Sequence, residues 1–278
     1  MRADVYQFSV VSDNPLNSGD GSDALVSPKV AAIFGPWSGT EFYANAGMGF
    51  HSNDARGAVI AVDPLTGEPV DRVTPLVRAK GAELGVRTVR FRGVQSTVAL
   101  WYLGIDSELL FVGDAGTSEA GRPSRRFGIE WATYARLNRW LTVDADLSMS
   151  RARFRDFDPA GDNIPGALDR VISGGITAEP LQPIFGSLRV RHFGPRPLIE
   201  DASVTSESTT LWNGELGYRL SSKARLVLEV FNLFDADVAD VDYFYVSRLP
   251  GEPAGGVEDI HTHPTLPRSA RVGVRFTF

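Results

Sequence analysis

The last eleven residues, RSARVGVRFTF, alternate without a break. Ala270, Val272, Val274, Phe276 and Phe278 fall on one side of an extended chain, and Ser269, Arg271, Gly273, Arg275 and Thr277 on the other. The period of two recurs upstream. Leu141, Val143, Ala145, Leu147 and Met149 oppose Thr142, Asp144, Asp146, Ser148 and Ser150; Phe127, Ile129 and Trp131 oppose Gly128, Glu130 and Ala132. Leu188 and Val190 oppose Ser187, Arg189 and Arg191; Trp212, Leu216 and Tyr218 oppose Asn213, Glu215 and Arg219; Leu226, Leu228 and Val230 oppose Arg225 and Glu229. Leu84 and Val86 against Glu83 and Arg87 repeat the pattern more weakly. Helical spacing fits none of these segments as well, so the chain is read as antiparallel strands with one apolar and one charged face.

The connections sort by length. Short ones, GPWSGT (Gly35 to Thr40), RFRGVQ (Arg90 to Gln95), RLNRW (Arg136 to Trp140), EPLQPI (Glu179 to Ile184) and RLSSKA (Arg219 to Ala224), carry tight-turn residues. They take turns with long Gly-, Pro-, Asp- and Asn-rich segments at Val11 to Ala24, His51 to Pro75, Ser107 to Pro123, Arg155 to Ala167, Gly194 to Ser208 and Leu233 to Pro267. A soluble sandwich has no reason to gather its long loops at one end, whereas a transmembrane β-barrel does so. Aromatics are expected as two interfacial girdles: Trp37, Trp140, Phe185 and Tyr218 beside the short turns, and Phe50, Tyr102, Phe127, Phe193, Trp212 and Phe231 near the long loops. The count is about twelve strands, each near the ~9–11 residues that cross a membrane at a tilt. No apolar stretch reaches the roughly 20 residues of a spanning helix.

Composition narrows the function classes. Cysteine is absent, which removes disulfides and thiol chemistry. A net charge of -6, with Lys29, Lys80 and Lys223 the only lysines, argues against a nucleic-acid surface. The opening MRADVYQFSV has no signal-peptide pattern, so the chain is either cytosolic or lacks its true N-terminus. No nucleophile or acid-base set converges, and neither catalysis nor a cofactor is expected. EDIHTHP, with Glu258, Asp259, His261 and His263, has alternate residues that share a face and could hold a metal, a spacing that ordinary loops also show, and RDFDPAGDN, with Asp156, Asp158, Asp162 and Asn163, has the oxygen ligands of a calcium loop without its ordered spacing. No metal is expected there.

The terminal strand ending in Phe278 resembles the assembly signal of bacterial outer-membrane proteins. More specifically, EVFNLFDADVADVDYFY (Glu229 to Tyr245), with Asn232, Leu233, Phe234 and Asp235, resembles the penultimate strand of TonB-dependent receptors. GTEFYANAGMGFHSNDARG (Gly39 to Gly57) and VRAKGAELGVR (Val77 to Arg87) are similar to further strands of those receptors. The resemblance covers nearly the whole chain. It implies an all-β antiparallel transmembrane barrel of about 12 strands, one part of a barrel of roughly 22 strands around a plug. Residues 1–278 then form the C-terminal portion of the barrel domain, with the plug absent.

The function implied is active uptake of a scarce ligand such as a ferric siderophore across the Gram-negative outer membrane. The implied partners are outer-membrane lipid, the TonB complex acting through the missing N-terminal region, the barrel-assembly machinery at Phe276 and Phe278, and a small-molecule ligand. Two other readings stand: a complete twelve-stranded pore or autotransporter-type translocator, and a soluble all-β binding protein. In the barrel reading Arg189, Arg191, Arg225, Glu229, Arg271 and Arg275 face the lumen, because lipid would charge several kcal/mol for each at mid-depth. Ligand contacts are expected from His51, Asn53, Asp54, Arg56, Arg196, Asp201, Tyr243, Tyr245, His261 and His263 in the long loops.

Overall fold

The computed structural model describes residues 1–64, 66–112, 117–181 and 183–277. Eleven strands form one antiparallel sheet: β3 (Lys29–Trp37), β4 (Thr40–Ser52), β5 (Leu76–Thr88), β6 (Val94–Ile105), β9 (Ser124–Arg136), β10 (Leu141–Phe154), β11 (Arg170–Leu181), β12 (Ile184–Phe193), β13 (Thr209–Arg219), β14 (Ala224–Phe231) and β17 (Ser269–Phe276). They follow one another in chain order. Three two-stranded ribbons lie outside the sheet: β1 (Arg2–Val10) with β2 (Gly19–Ser27), β7 (Leu109–Val112) with β8 (Thr117–Ala120), and β15 (Ala239–Ser247) with β16 (Val257–Pro264).

Cross-strand register carries side-chain parity from strand to strand. Phe42 lies opposite Val86, Val86 opposite Val98, Val98 opposite Trp131, Trp131 opposite Leu147, Leu147 opposite Ile172 and Ile172 opposite His192. The same face continues through Leu216, Leu228 and Val272. Val274, Phe276, Leu226, Leu141, Val143 and Ile129 share it, as the alternation predicts. These side chains are bare: Leu84, Leu100, Ile129, Met149, Leu216 and Val272 are all exposed, while among the described residues the buried apolar cluster is Ala152, Phe154 and Ile164. A soluble protein would have to cover such a surface, and nothing in the described residues does.

The five short turns are stitched edge to edge. Val89 N–H donates to Gly39 O (2.8 Å), Arg136 N–H to Gly93 O (2.6 Å), Glu179 N–H to Trp140 O (2.7 Å), Arg219 N–H to Pro183 O (2.9 Å) and Thr277 N–H to Lys223 O (2.9 Å). All short turns therefore lie at one end, and the long connections at the other. Local chemistry closes them. Asn138 Oδ1 accepts from Trp140 and Leu141 N–H, and Ser221 Oγ from Lys223 and Ala224 N–H. Ser38 and Gly39 supply the positive φ angles, 50° and 76°, that a tight β3–β4 turn needs.

Several expectations need correction. The opening segment Val5 to Val10 pairs with β2 in a ribbon outside the sheet, which leaves β3 as the edge of the sheet. The eleven-stranded sheet falls one short of the count for that reason. Three expected girdle aromatics sit on the charged face, because strand parity puts them there: Phe185, beneath Arg219 and Arg225; Phe193, beneath Arg191; and Phe231, beneath Arg271. Phe185 is buried because its cross-strand partner is Gly217. The long loops are also less irregular than expected, since EDIHTHP forms β16.

On the charged face large side chains lean into facing glycines. Tyr43 lies over Gly85, Trp101 over Gly128, Arg189 over Gly175 and Phe185 over Gly217, each a directly paired residue. A methyl group at Gly217 would fall within the Phe185 ring, whereas one at Gly273 on the same face meets nothing within 4 Å. Gly217→Ala is therefore expected to lower stability by about 1–3 kcal/mol through overpacking, read as the urea midpoint of the full-length protein. Gly273→Ala should shift it by no more than about 0.5 kcal/mol. Equal effects of the two would contradict the packing described.

Candidate ligand-binding face

The charged face is held by pairs reaching across neighbouring strands. Arg189 binds Asp144 through two hydrogen bonds of 2.7 and 3.1 Å, Arg219 contacts Glu179 at 2.5 Å, and Arg87 pairs with Glu41. Glu229 accepts from both Arg271 (2.8 Å) and Arg275 (2.7 Å), and Arg275 also reaches Glu215 at 3.5 Å. Arg225 lies over the Phe185 ring at 5.8 Å. All six arginines and carboxylates expected to line a lumen thus share this face, with Arg191 reaching out to Asp240 at 3.5 Å.

At the long-loop end the expected ligand residues separate into two groups. His51, Asn53, Asp54 and Arg56 lie where β4 runs into α1 (Ala55–Val59). Asn53 is buried, with its Nδ2 donating to Thr74 O and its N–H to Pro75 O. Asp54 caps α1 through Arg56 N–H and takes the Arg56 guanidinium at 2.6 Å, which holds its carboxyl below the usual range. These three residues close a loop. His51 lies on the charged face with its Nε2 buried and unpartnered.

Tyr243, Tyr245, His261 and His263 come together instead. The β15–β16 register puts His261 opposite Tyr243 and His263 opposite Val241, so the four share one face of the ribbon. Tyr245 stacks on His261 with ring centroids 3.9 Å apart, and His261 Nε2 is buried without a hydrogen-bond partner. Arg196 donates to Asp240 O at 3.1 Å and Thr209 Oγ1 to Ala239 O at 2.6 Å, fastening the ribbon to the neighbouring loop. Asp201 stands apart; Ser203 N–H donates to its carboxylate at 2.8 Å and keeps its pKa low.

Sequence reasoning missed the residue that organises this end. Arg122 donates to Asp156 Oδ1 at 2.9 Å, to Gly161 O at 3.0 Å and to Glu200 Oε2 at 2.5 Å, and lies over the Phe154 ring at 4.4 Å. One guanidinium therefore ties together three long loops. Its signal in the sequence was only a lone arginine before a proline. The acidic RDFDPAGDN segment is spent on the same framework: Asp156 on Arg122, Asp162 on Arg153 at 3.3 Å, and Asn163 on Glu200 O at 2.7 Å. Among the described residues no three His, Asp or Glu side chains are placed to hold a metal.

Asn232 is the other fixed point. It takes φ +49°, is buried, accepts Ala236 N–H at 2.8 Å and donates to Ala236 O (2.9 Å) and Leu266 O (3.2 Å). The Asn-Leu-Phe-Asp sequence thus ends β14 and launches the ribbon.

Comparison with known proteins adds the following. A family model described as TonB dependent receptor-like, beta-barrel matches residues 1–233. The closed form of the ferric-catecholate import receptor Fiu from E. coli K12 superposes with a TM-score of 0.72 at 18% identity, over 94% of this chain and 36% of that one. The ferric yersiniabactin uptake receptor FyuA from Yersinia pestis gives 0.71 at 16%, over 94% and 38%. The copper transporter OprC gives 0.75 at 18%, over 99% and 44%. The chain thus spans about two fifths of the length of these solved structures. No curated protein matches it in sequence.

Replacing Arg122 by Gln is expected to free the loops from one another, because its charge-assisted hydrogen bonds to Asp156 and Glu200 are lost. Limited proteolysis of the membrane-embedded protein should then cut near Asp158 and Asp201 at least several-fold faster. Cleavage at the wild-type rate would show that Arg122 does not hold them.

Proposed function

Since the chain belongs to the TonB dependent receptor-like β-barrel family, we propose that it forms part of the wall of an outer-membrane receptor for active uptake of a scarce ligand such as a ferric siderophore. The observation that carries this reading is the sheet with two incompatible faces. One face is apolar and bare, suited to hydrocarbon; the other is dense with ion pairs, suited to a polar interior. Arg189, Arg191, Arg225, Glu229, Arg271 and Arg275 line the lumen in this reading, where mixed-sign charge can grip a polar plug reversibly. Supporting the ligand class, the structural relatives bear the titles of ferric-catecholate, ferric yersiniabactin and copper transport proteins.

The ligand is received at the long-loop end, on the aromatic and imidazole face of Tyr243, Tyr245, His261 and His263. Movement inward draws on an inner-membrane TonB complex. Phe276 offers the apolar terminal strand to the barrel-assembly machinery; Phe278, expected to join it, lies outside the described residues. The protein is a carrier and not an enzyme, and its structural relatives are named for uptake and transport. A complete small pore is the weaker reading. Closure would require hydrogen bonds between the edge strands β3 and β17, and none joins them.

The test is uptake by cells expressing the full-length protein. A radio-iron catecholate complex should accumulate only in a strain with a functional TonB, and Tyr245→Ala with His261→Ala should reduce uptake about tenfold, as loss of a binding hot spot does, with unchanged outer-membrane protein level. Supplying Cu(II) in place of the ferric complex separates the two ligand classes. Equal accumulation with and without TonB, for both probes, would overturn the proposal in favour of passive passage.

A further inference from the structure

The apolar face is not uniformly apolar. Its strand residues include no Asp or Glu anywhere along β4 to β17, yet toward the long loops it carries Arg78, Lys80, Arg125, Arg151, Arg153 and Arg170. Register fixes their face. Lys80 lies opposite Met48 and Gly104, Arg125 opposite Gly104, Arg151 opposite Phe127, and Arg170 opposite Met149. Two of the six are engaged, Arg153 with Asp162 and Arg78 with Met48 Sδ. Lys80, Arg125, Arg151 and Arg170 are exposed, and among the described residues their side chains have no hydrogen-bond or ion-pair partner. On the opposite face nearly every strand arginine has a carboxylate.

Position makes the arrangement specific. Arg125, Arg151 and Arg170 are diagonal neighbours on adjacent strands, at the spacing where side chains interact, and Lys80 lies two strands away in the Arg125 row. Like charges at this spacing repel one another unless an anion stands between them. Tyr102 and Phe127 border the cluster on its apolar side, followed by Leu100, Ile129 and Met149. The cations therefore sit where hydrocarbon gives way to headgroups, and their long stems let the charges rise to that level.

Resting on the membrane reading above, we infer that Lys80, Arg125, Arg151 and Arg170 form a binding collar for phosphorylated lipid headgroups of the leaflet on the long-loop side. Phosphate matches this surface by charge and by the fork geometry of arginine. A soluble anion does not account for the bordering apolar rows, which a lipid's acyl chains would cover.

The test uses the full-length protein in neutral detergent, with bound lipid counted by native mass spectrometry. Diphosphorylated lipid A is compared with fully dephosphorylated lipid A of the same acyl chains. The wild type should prefer the phosphorylated lipid at least about tenfold, given four nearby cations. K80Q/R125Q/R151Q/R170Q should lose that preference, and K80R/R125K/R151K/R170K should keep most of it, which guards against a mere folding defect. Inorganic phosphate at equal concentration should not displace the lipid. Equal binding of both lipids by the wild type, an undiminished preference in the Gln variant, or full displacement by inorganic phosphate would each overturn the collar. Insertion of the wild type into phosphatidylcholine vesicles, read by protease protection, separates the two ideas: insertion without phosphate preference sinks only the collar, and failure to insert sinks both.

Discussion

Everything in this structure depends on the unbroken parity of an antiparallel hydrogen-bond ladder. Each strand presents alternate residues to opposite faces, and each register passes that choice to the next strand. A slip of one residue between β9 and β10 would send Trp131 and Ile129 to the side of Asp144 and Asp146. The short turns guard against such a slip, because each has a backbone bond to its neighbour and those at Asn138 and Ser221 are also closed by a side-chain acceptor. Lacking a large buried core, the sheet takes its shape from the ladder and its stability from the medium on each side.

The two faces solve different problems. The apolar face needs only bulk and hydrophobicity, and its rows mix Leu, Val, Ile and Ala. The charged face must fit polar and aromatic groups into a crowded pleat. It does so by pairing Phe185, Tyr43, Trp101 and Arg189 with glycines directly across the strand, so that large side chains lie flat over bare backbone. The ion pairs Arg87–Glu41 and Arg271–Glu229 likewise run straight across the ladder, and Arg189 reaches Asp144 over Gly175 in one row. Exposed as they are, single pairs contribute little; their collective effect is to leave few uncompensated charges on a surface that meets a polar partner.

The long-loop end is built differently, from convergent side chains rather than a ladder. Arg122 gathers three loops, Asn17 clasps the segment around Ala61 and Val62, and Asn232 fixes the point from which the β15–β16 ribbon departs. Such anchoring gives Tyr243, Tyr245, His261 and His263, the ligand face we propose, a fixed base without burying them in a core. Asn53, Asp54 and Arg56, which looked equally available, are occupied in closing their own loop.

The amino-acid sequence by itself determined the strand class, the two faces and the separation of short turns from long loops. Those features rest on period and on local turn chemistry, which act between residues close in the chain. Asn232 to Asp235 and the terminal strand carried a resemblance to the TonB-dependent receptors, and the family match over residues 1–233 shows the family. Only the tertiary structure decided that Val5 to Val10 leaves the sheet for a ribbon, that Phe185 is buried over Gly217, that Arg122 meets Glu200, and that Lys80, Arg125, Arg151 and Arg170 assemble on one face. Each of these turns on which strand lies beside which and in what register. Residues 78 positions apart, such as Arg122 and Glu200, become neighbours only once the strands between them are laid side by side.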